Sequence, residues 1–277
     1  MMIGIRLHDL KIGTLEEVKE AILKQGFEAI QLVFKKALRD EENNPLLFNY
    51  ENALKVQECF KYTNIKVAML GAYFNPVHSN KELVKSNIEY FKEHLKYAHL
   101  LNTQYVGTET GSYNDDKWTY NPKNQTEEGY QETMQVFKEL AKCAEEYKTT
   151  ILMEPAYGHV IYSVDQLKRA VDELNSSYVK VTIDLFNLLY IGNYLNYKDI
   201  FHKAMITFKN DIKIIHLKDF YIENDKMIQC GLGKGIIDFK YIMKEIKENC
   251  PDATLIFEGV TGEDISSSQL LINNLNK

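Results

Sequence analysis

Four side chains of this 277-residue chain stand at the ends of short, largely apolar runs, roughly one βα unit apart. Ile151-Leu-Met leads into Glu154, Val181-Thr-Ile into Asp184, Ile214-Ile into His216 and Leu255-Ile-Phe into Glu258. Three carboxylates and one imidazole form a donor set for one divalent cation of hard to intermediate character. Mn²⁺ or Mg²⁺ suits it, with Co²⁺ or Zn²⁺ as alternatives. A lone acidic residue after a strand commonly caps the next helix. Four delivered to one rim are a different matter, because gathering buried carboxylates is costly unless a cation offsets them.

For these four to meet, the chain must place four strand ends side by side. Strand-type runs are expected at 3–7, 29–33, 65–70, 104–108, 150–154, 178–184, 212–217 and 254–258. Helical stretches alternate with them at about 15–24, 49–62, 81–101, 126–147, 164–174, 198–209, 239–248 and 266–275. Thr14 and Glu17 have the spacing of a capping box at the first helix start. Leu83, Val84, Ile88, Phe91 and Leu95 recur at three- and four-residue steps, the signature of one buried stripe. Eight alternating βα units imply parallel strands, and eight such units in about 250 residues close into a barrel. The expected fold is α/β, a single (β/α)8 TIM barrel over residues 1–277. A doubly wound open sheet would carry a glycine-rich phosphate turn after its first strand, and Leu7-His-Asp-Leu-Lys is not one. In a barrel of this kind the active site sits at the C-terminal strand ends, where the four candidates fall.

Composition narrows the function classes. The chain is 45% hydrophobic and 26% charged with only 5 Pro, a folded globule rather than a disordered or fibrous one. A net charge of −6 disfavours nucleic-acid binding, whose affinity comes mainly from phosphate neutralisation. No run is long and apolar enough for a membrane span, and the charged N-terminus does not read as a signal peptide. Cys59, Cys143, Cys230 and Cys250 are scattered without a CxxC pair, so a reducing, cytoplasmic location is expected. The oligomeric state is not legible; a homo-oligomer is compatible.

The residues also carry a family resemblance over essentially the whole chain. Met153-Glu154-Pro155, Asp184-Leu-Phe-Asn187, His216-Leu-Lys-Asp219, the loop from Gly231 to Phe239 and Phe257-Glu258 resemble the xylose isomerase-like TIM-barrel superfamily. That group includes sugar isomerases, ketose 3-epimerases, inosose isomerases and dehydratases, and endonuclease IV. The resemblance implies Glu154, Asp184, His216 and Glu258 as ligands of one divalent ion, frequently Mn²⁺. It also implies Glu154 and Glu258 as the acid/base pair. The chemistry is coherent: a Lewis acid stabilises the enediolate formed when a proton α to a carbonyl is removed, and of two flanking glutamates one can deprotonate the carbon and the other reprotonate it. The expected function is a metal-dependent isomerase or epimerase of a sugar, sugar derivative or polyol ketone. The alternative is a dehydratase of the inosose or dehydroshikimate type. Endonuclease IV-like DNA repair is disfavoured, since its trinuclear zinc cluster needs further strand-end histidines. Asn187 stands where the ketose 3-epimerase branch usually carries His, a departure that points away from a tagatose- or psicose-type epimerase.

Other side chains are expected nearby. Glu109 after the fourth strand, Asn187, Lys218, Asp219, His8, Tyr73 and Trp118 are candidate substrate contacts, with Asn75 and His78 as further pocket-lining candidates. Lys218 and Asp219 could equally form an internal ion pair or orient His216. Gly231-Leu-Gly-Lys-Gly lacks the P-loop spacing, so it is a loop bordering the site, with Lys234 a weak candidate for an anionic group. Arg6, Arg39 and Arg169 are the only arginines, which argues against a dedicated bidentate phosphate clamp, although lysine also binds phosphate.

Overall fold

A computed structural model describes all residues 1–277. The barrel strands are β1 (Ile3–Arg6), β2 (Ala29–Leu32), β3 (Lys66–Gly71), β4 (Tyr105–Glu109), β5 (Thr150–Glu154), β6 (Val179–Asp184), β7 (Ile212–Leu217) and β10 (Thr254–Phe257). They close in the order β1-β10-β7-β6-β5-β4-β3-β2, with every neighbouring pair parallel. Each crossover is helical, from Leu15–Gln25 through Phe239–Asn249, and the helix Asp264–Asn276 follows the last strand. The expected alternation and the α/β barrel class are therefore observed.

Local chemistry accounts for the helix boundaries. Thr14 and Glu17 form both bonds of the capping box, and Gly26 ends that helix in the left-handed conformation at φ 76°. In Lys81–Tyr97, Val84, Ile88, Phe91 and Leu95 are buried as the stripe requires, whereas Leu83 in the first turn is exposed. The helix stops at Tyr97 and continues as one 3-10 turn to Leu101.

Inside the barrel the strand period of two decides what lies beneath the site. Leu152, Thr182 and Ile214 precede Glu154, Asp184 and His216 by two residues and so share their inward face. Met69, Leu152, Ile214 and Ile256 pack as a small apolar cluster, separate from the larger core between strands and helices. Gly107 makes room for it: a Cβ there would lie 2.3 Å from Met69 Sδ. The polar strand ends thus rest on a largely apolar plug.

One feature was not expected from the sequence. After β7 the chain forms an antiparallel hairpin, β8 (Asp219–Glu223) and β9 (Lys226–Cys230). Its signal is the Asn224-Asp225 pair, both at positive φ (49° and 56°), which suits a two-residue turn of primed type. Gln229 on β9 donates from Nε2 to the Glu258 carbonyl at 2.9 Å, so the hairpin braces the backbone of a candidate site residue.

The packing of His94 carries a prediction. Its ring stacks on Phe48 at 4.1 Å and its Nδ1–H donates to the Tyr90 carbonyl at 2.8 Å. Burial pushes its pKa down to about 4. The folded value lies below the free value near 6.5, so the stabilisation is present above 6.5 and lost as pH falls towards 4. Between pH 7 and pH 5 this residue accounts for about 2 kcal/mol of lost stability. In urea unfolding, His94→Gln should flatten the pH dependence by that amount; an unchanged slope counts against it.

Candidate active site

Glu154 ends β5, Asp184 ends β6, His216 lies on β7 and Glu258 follows β10 directly, so adjacent strand ends carry all four. Register sets their level, with Asp184 paired to His216 across β6–β7. His216 Nδ1 is the meeting point. It lies 2.9 Å from Glu258 Oε2, 3.3 Å from Glu154 Oε1 and 3.5 Å from Asp184 Oδ2. One donor atom from each residue falls within 4.8 Å of all the others, and all four side chains are buried. Burial alone would lower the imidazole pKa, but Glu258 and Glu154 hold it well above its usual value.

A surrounding layer fixes these groups. His216 Nε2 donates to Gln31 Oε1 at 2.6 Å, which commits that nitrogen and leaves Nδ1 facing the carboxylates. Gln31 Nε2 in turn donates to Tyr73 Oη at 2.7 Å. Arg6 holds Asp9 through two bonds of 2.8 and 2.9 Å and reaches Glu258 Oε1 at 2.6 Å. Asp9 also accepts the Gly259 N–H at 2.7 Å, tying the short helix Leu7–Leu10 after β1 to the loop after β10. Lys218 places its ammonium 2.7 Å from both Asp184 Oδ2 and Glu258 Oε1, and donates to Asn187 Oδ1 at 3.2 Å. Asn187 donates to Glu154 Oε1 at 2.8 Å and reaches Glu109 Oε1 at 3.5 Å.

The donor set fits a divalent cation. Asp184 Oδ2 is fully buried and, despite the nearby ammonium, makes no hydrogen bond of proper geometry. With one imidazole nitrogen oriented by its other edge and three carboxylates facing it, Glu154, Asp184, His216 and Glu258 could hold one ion.

A cavity of about 300 Å³ opens onto Glu154 and Glu258. Arg6, His8 and Lys36 line it on the β1–β2 side, and Tyr73, Glu109 and Trp118 on the β3–β4 side. Burial, helped by Glu154 and Glu258, pushes the Glu109 carboxyl up to about 8. Burial and the Arg6 charge push His8 down to about 4. His159 sits behind this wall, edge-on to Trp118 at 5.5 Å and 4.0 Å from Glu109 Oε1, likewise lowered to about 4 by burial.

The expected contacts therefore divide. His8, Tyr73, Glu109 and Trp118 face the cavity, whereas Asn187 and Lys218 contact the candidate ligands themselves. Asp219 is a correction: its carboxylate neither borders the cavity nor touches His216. It is buried and accepts the N–H groups of Phe220, Gly233, Gly235 and Ile237 at 2.8–3.1 Å. This explains the glycine-rich loop, since Gly233 has φ 83° and a Cβ on Gly235 would collide with the Phe220 carbonyl. Lys234 pairs with Asp264 instead of facing the site. Asn75 bonds to Val77, Ser112 and Asp115 backbone groups, and His78 Nδ1 accepts the Asn80 N–H, so both organise loops. Sequence reasoning missed Arg6, Asp9, Gln31, Lys36 and His159. For Gln31 a signal existed: a polar residue inside the apolar run Ala29-Ile-Gln-Leu, fully buried in the fold.

A closed eight-stranded βα barrel with a carboxylate–imidazole cluster at its C-terminal rim defines the class of protein. The chain belongs to the xylose isomerase-like TIM barrel family, whose family model matches residues 20–271. Its fold is similar to a D-tagatose 3-epimerase-like protein (TM-score 0.76, 18% identity, 99% of this chain and 97% of that one). It is also similar to the IOLI protein with a bound zinc atom (TM-score 0.76, 18% identity, 100% and 98%). A third is the probable 3-DHS dehydratase AsbF of Bacillus anthracis (TM-score 0.75, 14% identity, 99% of each chain). At these identities the likeness establishes the fold. No curated protein matches the sequence.

Proposed function

We propose that the protein is a divalent-metal-dependent isomerase or epimerase of a sugar, sugar derivative or polyol ketone. The observation that carries this reading is the convergence of Glu154 and Glu258, from strands three places apart in the ring, on one imidazole nitrogen beneath the cavity. Glu154, Asp184, His216 and Glu258 hold the ion, with Mn²⁺ first and Mg²⁺, Co²⁺ or Zn²⁺ as alternatives. When bound, the ion supplies Lewis-acid stabilisation of negative charge developing on the substrate carbonyl oxygen. The chain's own groups do the rest. One glutamate takes the proton α to the carbonyl and keeps it, and the other, carrying a proton of its own, delivers that proton to the enediolate, while Asn187 and Lys218 keep both carboxylates oriented. Tyr73 and Trp118 supply apolar walls against which a monosaccharide-sized ligand fits, and His8 and Glu109 offer polar contacts. The resemblance of the fold to an epimerase-like protein supports the same reading.

Glu109 favours a second reading. Burial raises the Glu109 carboxyl above the usual carboxylate range, and a protonated carboxyl on the cavity wall can protonate a departing hydroxyl, as a β-elimination requires. Both readings are tested by incubating the Mn²⁺-loaded protein with a ketose and inosose panel in deuterated water. Isomerisation or epimerisation incorporates deuterium without loss of water, whereas dehydration removes one water per turnover. Absence of exchange and of elimination across the panel sinks both.

The Gln31 contact gives an independent check on metal binding. Gln31→Leu removes the acceptor that orients His216 and should weaken Mn²⁺ binding about 10–100-fold by calorimetric titration. Unchanged affinity would refute the orienting role.

A further inference from the structure

Two of the four cations around the cavity are already neutralised. Arg6 is held by Asp9 and Glu258, and Lys218 by Asp184 and Glu258. Lys35 and Lys36 are different. They stand just beyond β2 on the short helix Phe34–Ala37, both line the cavity, and neither ammonium is within ion-pair distance of a carboxylate. Lys36 Nζ lies 5.7 Å from the centre of the Tyr73 ring, another wall of the same cavity, which holds the charge at the opening. Of the four lining carboxylates, Glu154 and Glu258 belong to the candidate site, Glu109 acts on Lys36 only from beyond ion-pair distance, and Asp116 is exposed and turned towards His78 Nε2 at 3.5 Å. On the same side His8 Nδ1 is buried without a hydrogen-bond partner.

We propose that the substrate is an acidic sugar derivative, whose carboxylate or phosphate is taken by Lys35 and Lys36 while its carbonyl end reaches Glu154 and Glu258. This deepens the proposed function and rests on it for the carbonyl end alone. A flexible ammonium pair recognises an anion as point charges, without the bidentate geometry that arginine imposes. Both anion types therefore fit the residues, and the experiment separates them.

Trp118 is the chain's single tryptophan and lines the cavity, so its fluorescence reports occupancy without turnover. The Mn²⁺-loaded full chain is titrated with D-fructose, D-fructuronate and D-fructose 6-phosphate. At least one anionic probe should bind about tenfold or more tightly than fructose, and the better of the two identifies the group. In K35Q/K36Q the ratio should fall to about one, and in K35R/K36R it should persist. Equal affinity for neutral and anionic probes, a ratio that survives K35Q/K36Q, or no binding of any probe overturns the proposal. Deuterium exchange beside the carbonyl is measured on the same samples. Charge-selective binding without exchange upholds the anion site and removes the proposed function. Exchange on fructose without charge selectivity does the reverse.

Discussion

Glu154→Gln and Glu258→Gln should each lower turnover by about 10²–10⁴-fold while the protein stays folded, as expected when one partner of a positioned proton transfer is removed. The amide is isosteric and keeps a ligand oxygen, so the barrel and its apolar plug need not change. The two groups act in sequence on one enediolate, so the double variant should be little worse than the more damaged single one. Deuterium exchange into whichever ketose the panel identifies, with a thermal melt beside it, measures both points. Retained turnover in either single variant would sink the acid/base pair. Loss of exchange with a collapsed melt would assign these residues to folding instead. Their surroundings differ: Lys218, His216 and Arg6 overcome the effect of burial and hold Glu258 well below the usual carboxylate range, whereas burial raises Glu154.

The second large effect is on stability. Asp219→Ala removes the acceptor of four backbone N–H groups, that of Phe220 on β8 and three in the turn that leads from β9 towards the helix Phe239–Asn249. Each buried donor left without a partner costs roughly 1–3 kcal/mol, reduced where the loop can relax towards water. A total of about 3–5 kcal/mol is expected in urea unfolding. Asp219→Asn keeps one acceptor oxygen and should lose less. An alanine variant within about 1 kcal/mol of wild type would show that the loop does not depend on this carboxylate.

The site was legible to different depths in different residues. Glu154, Asp184, His216 and Glu258 could be picked out because each follows a strand pattern, and strand patterns depend on local periodicity. Glu109, His8, Tyr73 and Trp118 could be placed near the rim for the same reason, since each follows a strand end. Asp219 was misread because chain order says only that it lies three residues after His216. Which way its carboxylate turns depends on a glycine-rich loop folding back over it. Lys234 failed similarly, captured by Asp264 from the last helix.

By itself the sequence determined the alternation of eight strands with helices, and hence the parallel barrel and the rim to which four metal-competent side chains belong. Period-two strands, period-3.6 helices and caps are short-range properties, so they can be read along the chain. Only the tertiary structure decided which partners complete the site. Gln31 reaches His216 across 185 residues of chain, and Arg6 reaches Glu258 across 252. Ring closure between β1 and β10 brings Arg6 beside Glu258, and the inward pleat of β2 turns Gln31 towards the imidazole. Neither contact leaves a spacing in the sequence. The reason is physical: side-chain direction is encoded locally, whereas proximity between distant strands exists only once the barrel has closed.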